Sequence, residues 1–197
     1  MMISLKAKIA FLAMPRAAST SIENVLLPYS DIAFKKFPRF KHINLAIYNI
    51  RLRPFLDTNN FTDIETTAIF REPVSWLASW YKYRSDPAIK FRQNSASGLS
   101  FNEFVEAYLM DSPPDFAKVG QQSKFVMAKN STCGIDNLFK FTNLSGFQSF
   151  LSERLSTEIV FDHKNESSNI ATQLSPDLQR ELESRFAVDF DIYDSAF

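Results

Sequence analysis

The stretch KIAFLAMPRAASTSIENVLL, Lys8 to Leu27, constrains the fold more than any other: an apolar strand-type run passes through a small, hydroxyl-rich turn straight into a helix. The first N–H groups of a helix lack intrahelical partners and sit at the positive end of its dipole, so this layout suits a site that grips an anion. A second strand-turn-helix follows in TTAIFREPVSWLASWYKYR, Thr66 to Arg84. Neither Ile9 to Ala13 nor Thr66 to Phe70 alternates cleanly between apolar and polar residues, and each precedes a helical pattern. Both therefore read as inner strands of a parallel sheet covered on both faces. Leu138 to Phe141 and Glu158 to Phe161 read as two further strands, which makes an α/β layer fold.

Helix boundaries rest on caps and period. Ser100 and Glu103 form a capping-box pattern, and Phe101, Phe104, Val105, Tyr108 and Leu109 follow at helical spacing. Ser175 before Pro176 supplies an N-cap and a proline at the first helical position, with Leu178, Leu182 and Phe186 as its apolar stripe. Ile43, Ile47 and Ile50 predict another helix, stopped before Pro54, with its stripe in the core. Ser85 to Gly98 and Asp111 to Phe116 read as surface loops, the first long enough for a lid.

A chain of 197 residues with 45% hydrophobic content fits one domain spanning residues 1–197 and able to bury a sizeable core. No apolar run approaches membrane-spanning length and no secretory leader pattern is present, so the expected location is cytoplasmic. Cys133 is the single cysteine, which excludes an internal disulfide and a thiolate metal cluster; with His42 and His163 the only histidines, no metal ligands are assigned. The 22 basic and 22 acidic residues cancel, against general nucleic-acid affinity, yet residues 1 to 53 hold nine Lys/Arg and only Glu23 and Asp31. That asymmetry reads either as a solvated basic face or as a local field for a small polyanion.

The familiar phosphate loop needs glycine for close backbone approach and a lysine before its Ser/Thr. Here Ala18, Ser19, Thr20 and Ser21 hold those places, and the cation, Arg16, comes early. In the second motif a nucleoside-triphosphate enzyme would carry an Asp at the strand end to organise Mg²⁺, whereas this chain carries Arg71, which binds phosphate directly. Ser75 and Ser79 lie one turn apart on the helix that follows. On chemistry alone two readings of Arg71 stand: a phosphate ligand, or a partner of Glu72 or another carboxylate. Trp76, Leu77, Trp80 and Tyr81 read as core.

With both motifs in view, the chain resembles the sulfotransferase family, in its carbohydrate-type and bacterial branch. MPRAASTS (Met14 to Ser21) looks like the 5′-phosphosulfate loop, and FREPVSWLASW resembles the 3′-phosphate element, with Arg71 and Ser79 eight positions apart. KHIN (Lys41 to Asn44) is similar to the segment carrying a catalytic histidine. LFKFTNLSGFQSFL (Leu138 to Leu151), HKNES (His163 to Ser167) and ESRFAVDFDIY (Glu183 to Tyr193) resemble later family blocks, in order. The departures are Arg16 for the loop lysine, Ala17 and Ala18 for a threonine and a glycine, and Thr142 for a common glutamate.

The resemblance implies a P-loop NTPase-like three-layer fold with a central parallel sheet flanked by helices. It also implies transfer of a sulfonate group from 3′-phosphoadenosine 5′-phosphosulfate (PAPS) to an acceptor hydroxyl or amine, carbohydrates among the candidates. By resemblance, Arg16, Ala17, Ala18, Ser19, Thr20 and Ser21 hold the 5′ side of the donor and Arg71 and Ser79 its 3′-phosphate. Arg16 also stabilises the leaving charge, His42 takes the acceptor proton, and no metal takes part. The rival readings are a small nucleotide-dependent kinase on a related fold and a non-catalytic module that binds nucleotide or sulfated glycan.

Overall fold

A computed structural model describes residues 1–128, 132–161 and 170–197. In chain order the strands are β1 (Met2–Ser4), β2 (Ile9–Phe11), β3 (Ile32–Ala33), β4 (Glu65–Phe70) and β5 (Asn137–Lys140). The α-helical segments are α1 (Ser19–Leu26), α2 (Pro38–Lys41), α3 (Leu45–Ile47), α4 (Arg53–Thr58), α5 (Pro73–Arg84), α6 (Phe101–Leu109), α7 (Ser123–Val126), α8 (Leu144–Leu155), α9 (Pro176–Arg185) and α10 (Ala187–Ser195). Contacts divide the chain into two compact units. The first holds the described residues of Met1–Arg71, Gln122–Lys164 and Ser195–Phe197, and the second those of Glu72–Gln121 and Asn165–Asp194.

The first unit carries an open five-stranded sheet in the order β3-β1-β2-β4-β5. β2, β4 and β5 are parallel, whereas β1 pairs antiparallel with both β2 and β3. The sheet is therefore mixed, a correction to the purely parallel expectation. The cause is a tight hairpin: the Lys8 N–H reaches the Leu5 carbonyl at 3.3 Å and Lys8 takes a left-handed φ of 56°, returning the chain beside β1. Past β2, the Leu12 N–H bonds to the Thr67 carbonyl at 2.8 Å, so the parallel ladder runs right up to the first motif. Asp136 Oδ2 accepts from both the N–H and the hydroxyl of Thr66 at 2.7 Å, fixing the register of β4 against β5 at its start. On β5 the chain's last residue pairs with backbone: the Phe197 N–H donates to the Leu138 carbonyl at 2.9 Å and the Lys140 N–H to the Phe197 carbonyl at 2.8 Å.

Phe11, Phe139, Phe147 and Phe161 pack ring on ring at 5.1 to 5.9 Å, forming the aromatic heart of this unit. The run Glu158 to Phe161 is not a strand. Its backbone donors go instead to side chains of α8, Ile159 N–H to Ser152 Oγ at 3.0 Å and Phe161 N–H to Gln148 Oε1 at 3.3 Å, while Ile159 and Phe161 are buried.

The helix expected over Ile43 to Ile50 also differs. α3 starts on an Asn44 cap, widens into a π turn over Tyr48–Leu52 and continues as α4 through Pro54. The π turn shifts the phase, so Ile43, Leu45, Tyr48 and Leu56 are buried while Ile47 and Ile50 face outward. Pro54 does not end the helix, because it stands in the first turn of the following segment, where its missing N–H is not needed.

In the second unit, Glu72 rather than a serine caps α5, its carboxylate accepting from Val74 and Ser75 N–H at 3.0 and 2.6 Å. Ser100 and Glu103 form the expected capping box on α6, and Ser175 caps α9 with Pro176 at its start. Tyr81 packs against Phe101 and Phe104, with Trp76, Leu77, Tyr108 and Leu182 in the same buried cluster. Among the described residues no helix is long and apolar enough to cross a membrane.

Candidate functional site

β2, β4 and β5 run in one direction, so their carboxyl ends, Phe11, Phe70 and Lys140, share one edge of the sheet. That edge is where open α/β sheets hold ligands. Three connections leave from it: the Leu12-to-Ala18 loop, Arg71, and Phe141.

The loop takes a conformation normally reserved for glycine. Arg16 has a φ of 64° and Ala18 a φ of 54°, two of the five non-glycine residues at positive φ among the described residues. A side chain in this region crowds the following carbonyl at a cost of roughly 1–2 kcal/mol, and such strain persists where the surroundings enforce it, most often at ligand sites. Ala17, between them, is buried. Ala18 is also the N-cap of α1, with a methyl group that cannot accept a hydrogen bond. The Ile22 N–H bonds back to the Ala18 carbonyl at 3.2 Å, and the N–H groups of Ser19, Thr20 and Ser21 stand before it at the helix start. No acidic residue occupies this first turn.

Arg71 leans onto the loop, its Nη1 donating to the Arg16 carbonyl at 3.3 Å, and its guanidinium lies 4.4 Å from the centre of the Phe141 ring. Its backbone is clamped by buried Gln122, whose Oε1 accepts from the Arg71 N–H at 3.0 Å and whose Nε2 donates to the Arg71 carbonyl at 2.7 Å. Glu72, the carboxylate next in sequence, is engaged in capping α5.

His42 is anchored to the same loop. Its Nδ1 lies 2.6 Å from the Ala13 carbonyl; since a carbonyl only accepts, Nδ1 carries the proton and Nε2 keeps the lone pair. Burial pushes the His42 pKa below its ordinary value, the bond to Ala13 opposes this, and Lys41 lowers it further. The neutral ring, able to accept a proton, is thereby favoured at neutral pH.

Lys41 and Glu23 complete the cluster. Glu23, fully buried on the second turn of α1, is flanked by the Met1 ammonium at 3.2 Å and by Lys41 Nζ at 3.0 Å. Lys41 Nζ also donates to Thr20 Oγ1 at 3.3 Å, which sets a cation against the first turn of α1. The Met1 ammonium further donates to the Lys41 carbonyl at 2.8 Å, holding the segment that leads into His42.

The first unit thus brings together Arg16, Ala17, Ala18, Ser19, Thr20, Ser21, Arg71 and His42. Ser79 belongs to the second unit, buried on α5 one turn beyond Ser75. The segment His163 to Ser167 lies outside the described residues. Sequence reasoning missed Gln122, Phe141 and Glu23, and treated Lys41 only as a neighbour of His42. Lys41 alone carried a signal, its place in the basic N-terminal quarter. Compared with protein-family models, with curated proteins and with solved structures, the chain finds no match in any of the three.

Proposed function

We propose that this protein is a sulfotransferase that moves a sulfonate group from PAPS to an acceptor hydroxyl or amine, carbohydrate hydroxyls among them. The observation that carries the proposal is the attachment of both Arg71 and His42 to carbonyls of one strained loop in front of a helix without a side-chain cap. The residues present fit an anionic donor: N–H groups and hydroxyls at the start of α1, Arg16 in the loop before it, Arg71 bonded to that loop, and Lys41 against Thr20. Bound PAPS supplies an activated sulfonate, whose S–O bond to the 5′-phosphate breaks as the acceptor oxygen or nitrogen bonds to sulfur.

The chain's own groups position this displacement and stabilise its charge. The first turn of α1, with Ser19, Thr20 and Ser21, holds the 5′ side. Arg16, which hardly gives up a proton, acts there as an electrostatic clamp on the leaving phosphate. Arg71 takes the 3′-phosphate through charge-assisted bonds. His42 Nε2 accepts the acceptor proton while Nδ1 stays fixed on Ala13, and Lys41 adds positive charge beside Thr20.

Calorimetry in EDTA with 3′-phosphoadenosine 5′-phosphate and AMP tests the donor site. Tighter binding of the bisphosphate, lost in Arg71→Ala, is expected; equal affinity for the two ligands would refute the reading. In a transfer assay over sugars, phenols and peptides, His42→Ala should lower the rate by on the order of 10² to 10⁴ with donor affinity retained. Tight binding without transfer to any acceptor would assign a binding module instead.

A further inference from the structure

A second feature of the first unit does not rest on the sulfotransferase reading. Between β3 and His42 the chain reads KKFPRFK, Lys35 to Lys41, with four cations, two phenylalanines, one proline and no acid. Phe37 is the extended N-cap of α2 and Pro38 opens the turn. Phe37 and Phe40 are three residues apart, and the Phe40 N–H donates to the Phe37 carbonyl at 2.9 Å, so both stand on one short turn. Lys36 precedes Phe37 and Arg39 precedes Phe40, so each aromatic has a cation next to it in sequence.

Phe37 is 71% exposed and Phe40 56%, and Lys36, Pro38 and Arg39 are exposed with them. The base of the segment is held: Phe34 packs on Phe40 with ring centres 5.8 Å apart, and Lys35 Nζ donates to Asn24 Oδ1 at 3.0 Å. Lys41 is engaged by Glu23.

Single exposed apolar residues are ordinary, but two exposed phenylalanines on one short turn that carries four cations and no acid select a partner. A second copy of this chain, docked about a two-fold axis, would set Lys36 and Arg39 against their own counterparts. A nucleic-acid strand stacks its bases on aromatic faces along a basic groove, whereas Phe37 stands out from the surface. An anionic bilayer surface accommodates both kinds of side chain: phenylalanine enters the boundary between headgroups and acyl chains, and lysine and arginine meet the headgroup charge. We propose that Lys35 to Phe40 docks this protein on an anionic lipid surface. Each cation near such a surface strengthens binding about fivefold.

Sedimentation of the full chain with phosphatidylcholine vesicles, with and without phosphatidylserine, tests the proposal. Binding should need phosphatidylserine and weaken with salt. Reversing two charges, Lys36→Glu with Arg39→Glu, should lower it by at least about 25-fold, two fivefold losses. Phe37→Ser with Phe40→Ser should weaken it at unchanged helix content by circular dichroism. No binding to either vesicle, or undiminished binding by both double variants, would overturn the proposal. So would tighter capture of an oligo(dT) strand that depends on the two phenylalanines, or a dimer in sedimentation velocity that the phenylalanine variant abolishes.

Discussion

Ala18 holds a backbone shape that glycine adopts freely, and this single methyl group bears on both stability and binding. Ala18→Gly relieves the left-handed strain while giving the unfolded chain more freedom, so the net expectation is a gain of roughly 0.5–1 kcal/mol in a urea denaturation series. Ala18→Val, branched at Cβ, should lose more than that gain. The absence of glycine was legible in the sequence, but the left-handed turn was not, since alanine has no preference for it. His42 was legible only through resemblance; its anchor, the Ala13 carbonyl 29 residues earlier, is a product of the fold. Because burial lowers the His42 pKa in the folded protein, the unfolded chain takes up a proton more readily. Its contribution to stability is therefore complete above the ordinary histidine value of about 6.5 and is lost as pH falls through the lower folded value. A His42→Gln variant should show a shallower loss of melting temperature on acidification below about pH 6.5 than the parent.

Among elements, the parallel strands and capped helices could be read directly, because their signals are local: short, mainly apolar runs, Ser100 with Glu103, Ser175 with Pro176. What failed depended on a turn without a signature residue, on partners outside the segment itself, or on a break in period. The hairpin before β2 turns on Lys8, not on Asn-Gly, so β1 carried no recognisable turn. Glu158 to Phe161 has strand composition, yet its donors find hydroxyl and amide groups on α8. The π turn at Tyr48–Leu52 moved the buried face off the isoleucines. Gln122 shows what such a remote partner does, since its amide fixes both backbone groups of Arg71 just past β4. Gln122→Leu should cost about 1–3 kcal/mol of stability by leaving those groups unpaired. It should also weaken 3′-phosphoadenosine 5′-phosphate in calorimetry more than it weakens AMP, because the Arg71 guanidinium loses its fixed origin.

For the molecule as a whole, each unit gathers aromatic rings of its own among the described residues, the first around Phe147 and the second around Tyr81. The sequence, read as one domain, could not show that the chain leaves the first unit after Arg71 and returns to it at Gln122. The pairing of Phe197 with β5 bears on the behaviour of the protein at high concentration. A sheet whose outer strands have open N–H and C=O groups is a template for further chains. In this sheet β3 is only two residues long, and the outward groups of Leu138 and Lys140 on β5 are already taken by Phe197. Phe197 thus covers the part of β5 on which a further strand would otherwise pair. Deleting Ser195 to Phe197 should leave β5 open and shorten the lag before light scattering rises in a concentrated, gently heated sample. An unchanged lag would mean that β5 is shielded by other means.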